Sequence, residues 1–214
     1  MKIISTLLFL TLTLTLTLSL TTFSKDTYSK DTYNILFLGD SLTEGYGVPT
    51  EKAYPALVKK RLETNSSKKV EIFNLGVSGS TTSSGLMRLK WITGQKKIDL
   101  MILALGANDG LRGIPLKKSR QNLVDIILFA KEKKIKIILA GMKIPPNYGE
   151  DYRSEFEKVF KDLARTHKVT FLPFLLKDVA GVKTLNLPDG IHPNEKGHEI
   201  VAQTVFNILK DFVK

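Results

Sequence analysis

The stretch Asn34-Ile35-Leu36-Phe37-Leu38-Gly39-Asp40-Ser41-Leu42-Thr43 runs four apolar residues straight into a Gly-Asp-Ser turn. A strand that is apolar at every position has no polar face to turn to water, so it belongs in a parallel sheet covered on both sides. Runs of similar build recur at 70–74, 100–105, 135–140 and 169–172. Helical patterns lie between and after them, at 53–64, 84–92, 117–133, 151–167 and 194–213. In the fourth of these, Phe156, Val159, Phe160 and Leu163 fall at i, i+3, i+4 and i+7, which marks them as core. Strands alternating with helices read as βαβ units, whose right-handed connections put helices on both faces. The expected fold is α/β: a three-layer α/β/α sandwich with a mainly parallel five-stranded sheet.

A chain of 214 residues, 43% hydrophobic and 25% charged, supports one folded domain with a full core. It has no cysteine, which removes disulfides, thiolate nucleophiles and Cys-bound metal. Residues 3–24 carry no charge and follow Lys2, the layout of a signal peptide with cleavage expected after Ser24, or of an N-terminal membrane anchor. A tandem pentapeptide, Ser24 to Tyr28 and Ser29 to Tyr33, is too short for a repeat fold and reads as a polar spacer over 25–33. The domain is expected over 34–214, and the protein is expected to be exported, periplasmic or secreted. The net charge of +11 is mostly lysine, in short clusters such as Lys59-Lys60, Lys68-Lys69, Lys96-Lys97, Lys117-Lys118 and Lys131 to Lys134. These read as solvated helix ends and loops, with weak, salt-sensitive attraction to an anionic membrane surface as the other reading. No nucleic-acid partner and no oligomer are expected.

In open parallel sheets, ligands sit beyond the carboxyl ends of the strands. The first three strands end in Gly39-Asp40-Ser41-Leu42, in Asn74-Leu75-Gly76-Val77-Ser78-Gly79 and in Gly106-Ala107-Asn108-Asp109-Gly110. Before the last helix comes Asp189-Gly190-Ile191-His192-Pro193. Ser41, at the start of a helical turn, reads as a cap or as an exposed nucleophile near unpaired amides. A tight turn at Gly190 can bring the Asp189 carboxylate to one imidazole nitrogen of His192 and leave the other free to take a serine proton. His198 lies inside a helical pattern and His167 closes a lysine-rich helix, so both read as surface or capping groups. Gly79 can offer a backbone N–H, and Asn108 an amide, to a developing oxyanion; each alone also reads as an ordinary turn residue. The surroundings of Ser41 are not the G-x-S-x-G elbow.

Together these segments resemble the SGNH, or GDSL, hydrolase superfamily, most closely its bacterial acyl-thioesterase/lysophospholipase/arylesterase branch. Leu105 to Gly113 and Pro146-Asn147-Tyr148-Gly149 add to the likeness, which runs from Asn34 to the C-terminus. The resemblance implies a flavodoxin-like sandwich and a serine ester hydrolase without metal or other cofactor. It implies Ser41 as nucleophile, His192 as base and Asp189 as its orienting group. The oxyanion hole is implied to consist of the N–H groups of Ser41 and Gly79 and the side chain of Asn108. Asp40 is implied to be structural. Ala107 stands where the branch often has a second glycine. Leu111, Ile114, Ile144 and Tyr148 are implied to border the acyl pocket of a small-molecule or lipid ester substrate. Rival readings are a carbohydrate O-deacetylase of the same superfamily, a phosphate-binding flavodoxin-like protein, and a non-catalytic interaction module. Against the phosphate binder, Asp40 and Glu44 would repel the anion.

Overall fold

Residues 32–66 and 68–213 are described by the computed structural model. The apolar run at 35–38 forms the middle of β1 (Thr32–Gly39), and Ile35, Leu36, Phe37 and Leu38 are wholly buried there. The other strands are β2 (Lys69–Gly76), β3 (Leu100–Ala104), β4 (Lys136–Ala140) and β5 (Thr170–Leu172). They form one sheet in the order β2-β1-β3-β4-β5, with every pair parallel. Because β1 connects outward to β2 on one side while β3 lies on the other, the strand order reverses between β1 and β3. A crevice opens at such a point.

Two helices, α2 (Tyr54–Asn65) and α7 (Glu195–Leu209), pack together on one face. The other face carries α3 (Gly85–Thr93), α5 (Leu116–Glu132) and α6 (Glu150–His167). Pro55 lies in the first turn of α2, where its missing N–H costs nothing. Asn194 caps α7 by accepting from the N–H of Gly197 at 3.1 Å. Two short helices, α1 (Ser41–Glu44) and α4 (Ala107–Leu111), start directly beyond the ends of β1 and β3. The sequence pattern anticipates a helical turn at Ser41; it carries no comparable sign of α4, whose single turn is too short to show a period.

The signal segment 1–24 lies outside the described residues, as does most of the spacer. That spacer ends earlier than expected, because Thr32 and Tyr33 belong to β1 and pair with Lys69 and Val70. A β-branched and an aromatic residue suit a strand, and the Lys68 ammonium lies 5.7 Å from the centre of the Tyr33 ring.

His198 also departs from expectation. Rather than facing solvent, it is 1% exposed, stacked on Tyr54, and its Nδ1 accepts the backbone N–H of Tyr54 at 3.2 Å. The Tyr54 hydroxyl shares a 2.9 Å hydrogen bond with Thr43 Oγ1 in α1, so a buried polar chain links α7, α2 and α1. Burial, and secondarily the nearby charge of His192, pushes the His198 imidazole down to about 4. The unfolded chain, with an ordinary histidine near 6.5, therefore binds the proton more readily. Stability is accordingly full above about pH 6.5 and falls as the pH drops towards 4, by about 3 kcal/mol from this group. His198→Asn, which keeps an acceptor for the Tyr54 N–H, is expected to flatten the loss of denaturation midpoint between pH 6.5 and 4. An unchanged slope would remove His198 from the acid response.

Candidate active site

Ser41 is the first residue of α1, but it does not cap that helix. The cap is Asp40, whose Oδ1 accepts the N–H of Leu42 at 3.0 Å. The Ser41 hydroxyl is thereby left for another partner, and it meets His192: Nε2 lies 2.9 Å from Ser41 Oγ. The opposite ring nitrogen, Nδ1, is 2.7 Å from Asp189 Oδ2. The loop before α7 makes this geometry locally, since Asp189 Oδ1 accepts the backbone N–H groups of Ile191 and His192, each at 3.0 Å. Both oxygens of one carboxylate thus fix the turn and the ring it carries. The Tyr46 ring packs beside the imidazole with centroids 4.7 Å apart.

The two acids at the site are tuned in opposite directions. For Asp189, burial works to raise the carboxyl, but the N–H groups of His192 and Ile191 and the imidazole outweigh it and hold it below its ordinary value. For Asp40, burial dominates and pushes the carboxyl up to about 6, against the Leu42 hydrogen bond and the charges of His192 and Arg88. Among the described residues, its Oδ2 is buried without a hydrogen-bond partner.

Gly79 and Asn108 reach the same end of the sheet from β2 and β3. As the first residue of α1, Ser41 has no intrahelical acceptor for its N–H. Neither that N–H nor the N–H of Gly79, at φ +74°, is taken up by a backbone hydrogen bond among the described residues. Asn108 Nδ2 donates to the carbonyl of Ser80 at 3.0 Å, which uses one of its two amide hydrogens. On the β1 side, Glu44 Oε2 accepts the Ser78 N–H at 2.8 Å and also takes the Ser78 hydroxyl. The loop carrying Gly79 is therefore strapped to α1 at one residue and to α4 at another.

A cleft of about 410 Å³ opens beside Ser41, Asn108 and His192. Leu111 and Ile144 line it. Ile114 and Tyr148 are not among its lining residues: the Ile114 N–H bonds the carbonyl of Asp109, and the Tyr148 hydroxyl donates to the carbonyl of Leu111 at 2.8 Å. Tyr148 thus braces the wall from behind. Further apolar lining comes from Met142, Phe174, Leu176, Ala180 and Ile191, none of them singled out by sequence reasoning. A signal was present in Phe171-Leu172-Pro173-Phe174-Leu175-Leu176, where an apolar run continues past a proline that ends the strand. Two cations sit on the wall: Lys143 pairs with Glu157 at 3.1 Å, and Arg153 with Glu150 at 2.9 Å. Among the described residues, no group of three or more His, Asp or Glu is placed to hold a metal ion.

The chain belongs to the GDSL-like Lipase/Acylhydrolase family, matched over residues 37–200, and is an enzyme of the serine-esterase class. It is 36% identical to an arylesterase of Vibrio mimicus, over 80% of this chain and 85% of that protein. The thioesterase 1/protease 1/lysophospholipase L1 of Escherichia coli K12 is 32% identical, over 84% of each chain. Among solved structures, the psychrotrophic esterase EstA of Pseudoalteromonas sp., inhibited by monoethylphosphonate, matches with a TM-score of 0.79 at 30% identity, over 84% of this chain and 97% of that one.

The raised carboxyl of Asp40 fixes the sign of one stability effect. The folded state holds this proton more tightly than the unfolded chain, so stability falls as the pH rises from about 4 to about 6 and the penalty is complete above that window. Asp40→Asn keeps an N-cap acceptor and cannot ionise. It is expected to raise the melting temperature at pH 8, with a gain that shrinks towards pH 4, as measured by thermal denaturation across pH; a gain independent of pH would contradict the burial of a charge there.

Proposed function

We propose that this enzyme hydrolyses carboxylic esters or thioesters of acyl chains through an acyl-enzyme on Ser41. The observation that carries the reading is the hydrogen-bonded series from Ser41 Oγ to His192 Nε2 and from His192 Nδ1 to Asp189. With Asp189 held ionised, the imidazole keeps its proton on Nδ1 and presents a bare Nε2 to the serine hydroxyl. His192 takes the hydroxyl proton as Ser41 Oγ bonds to the carbonyl carbon. The carbonyl oxygen becomes an anion, for which the N–H groups of Ser41 and Gly79 and the free amide hydrogen of Asn108 are the donors. Collapse breaks the bond to the alkoxide or thiolate, which leaves with the proton returned by His192. Water then repeats the sequence on the acyl-serine and releases the acid.

The mainly apolar cleft favours an acyl chain as the bound portion of the substrate. The names of the relatives, an arylesterase and a thioesterase/lysophospholipase, support the same class of ester. The uncharged stretch at 3–24 favours export, which sets lysophospholipids and short- to medium-chain esters ahead of cytosolic acyl-CoA.

Hydrolysis of a panel of p-nitrophenyl esters, acyl-thioesters and lysophospholipids tests the reading. Ser41→Ala is expected to abolish turnover above background, and Asn108→Ala to lower it by roughly a hundredfold to a thousandfold. Asp189→Asn is expected to cost on the order of ten-thousandfold by releasing the wrong tautomer. Full turnover by Asn108→Ala would remove it from the oxyanion site, and activity confined to acetylated glycans would move the enzyme to carbohydrate O-deacetylation.

A further inference from the structure

The two ends of the sheet differ sharply in charge. All five strands are parallel, so their starts share one end, opposite the cleft. Four segments gather there: 68–71 and 96–99 lead into β2 and β3, 131–136 joins α5 to β4, and 165–169 joins α6 to β5. They carry ten Lys and Arg against three Asp and Glu, seven of the chain's eleven surplus charges. The cleft-end segments 40–53, 76–84, 106–118, 141–153 and 173–196 carry nine of each sign. Clusters that look scattered along the chain are thus collected by the topology onto one face. Lys96, Lys97, Lys133, Lys134 and Lys136 there surround a hollow of about 510 Å³ with Tyr33.

Two further features lie at the same face. Trp91, the only tryptophan in the sequence, is in the last turn of α3, five residues before Lys96, and is 60% exposed. β1 begins there too, at Thr32, so the described chain enters the domain on this side. We infer that this basic face docks the domain onto an anionic phospholipid surface. Lysine is suited to that partner: it is a compact point charge that attracts an anionic surface without demanding a fixed geometry, and nine of the ten cations are lysine. Tryptophan favours the headgroup level, where one side of the ring is apolar and the other wet.

Helix ends explain only part of the cluster. Lys131, Lys133, Arg165 and Lys168 complement the carbonyl ends of α5 and α6. Lys69 and Lys136 open strands, and Lys97 lies between the helix and β3, where no helix dipole calls for them. The docked geometry turns the cleft away from the lipid by about the length of β1, roughly 25 Å for its eight residues. Substrate then enters from water. This inference is independent of which residues perform the hydrolysis.

The full chain, with phosphatidylcholine vesicles made with or without phosphatidylglycerol, tests it. Wild type is expected to prefer the anionic vesicles at about 0.05 M salt and to lose that preference at about 0.5 M. Trp91 emission is expected to shift to the blue only with the anionic vesicles. The variant K96Q/K97Q/K133Q/K134Q is expected to lose affinity for anionic vesicles by roughly six-hundredfold, from about fivefold per lysine. Its hydrolysis of a soluble p-nitrophenyl ester should match wild type, which verifies the fold. If the variant binds anionic vesicles as wild type does, or wild type binds both vesicle types alike at low salt, the inference fails. Equal affinity for a DNA duplex at matched phosphate concentration would also overturn it, in favour of a general polyanion surface.

Discussion

Everything at the site depends on how closely α1 sits on the ends of β1 and β2. A Cβ on Gly39 would lie 1.9 Å from Thr43 Oγ1, and one on Gly76 would lie 2.1 Å from the Glu44 nitrogen. Neither distance is possible between non-bonded atoms, so only glycine at both strand ends lets the helix backbone rest directly on the sheet. Arg88 of α3 secures the support from below: its Nη1 donates to the carbonyl of Gly39 at 2.8 Å and also to that of Leu75. The Asn74 side chain donates to the Thr43 carbonyl at 2.9 Å. With α1 fixed, Asp40 caps it, and the Ser41 hydroxyl faces a histidine 151 residues further along the chain.

The loops carrying Gly79 and Asn108 are tied to this platform by polar contacts between strand ends. Asp109, 1% exposed, is the hub on the β3 side. Its carboxylate accepts the Thr82 N–H at 2.9 Å, the Thr82 hydroxyl at 2.6 Å and the Ser119 hydroxyl at 3.0 Å. A buried carboxylate with three donors is satisfied, and it holds the β2 loop against α4 and α5 in one arrangement. Glu44 and Ser78 make the matching tie to α1. Groups from β1, β2 and β3 are therefore held in a fixed relation to one another, the preorganisation that the proposed oxyanion site calls for.

Most of the fold, and the segments that bring Ser41, His192 and Asp189 together, could be read from the sequence because both have local signatures. Continuous apolar runs marked the strands to within three residues, and the Asp189-Gly190-Ile191-His192 turn carried its own geometry. What escaped reading depends on contacts distant in sequence. His198 sits in an apolar helical pattern, and only the packing of α7 against α2 makes it a buried acceptor for Tyr54. Tyr148 is near the cleft in sequence terms, yet its hydroxyl turns to the Leu111 carbonyl, 37 residues away. Phe174 and Leu176 follow the last strand and line the cleft because the sheet order places β5 beside β4. The lysine clusters were visible individually, but their gathering at one end follows from the parallel topology.

The same topology separates two kinds of chemistry by the height of the sheet, with a charge-balanced cleft at one end and a basic face at the other. At the cleft end, the central claim is that His192 makes Ser41 a nucleophile, and covalent trapping examines it most directly. Treatment with a fluorophosphonate followed by peptide mass spectrometry should find one adduct, on the peptide containing Ser41, in wild type and none in His192→Ala. An adduct confined to another residue, or equal labelling of Ser41 in both proteins, would contradict the account.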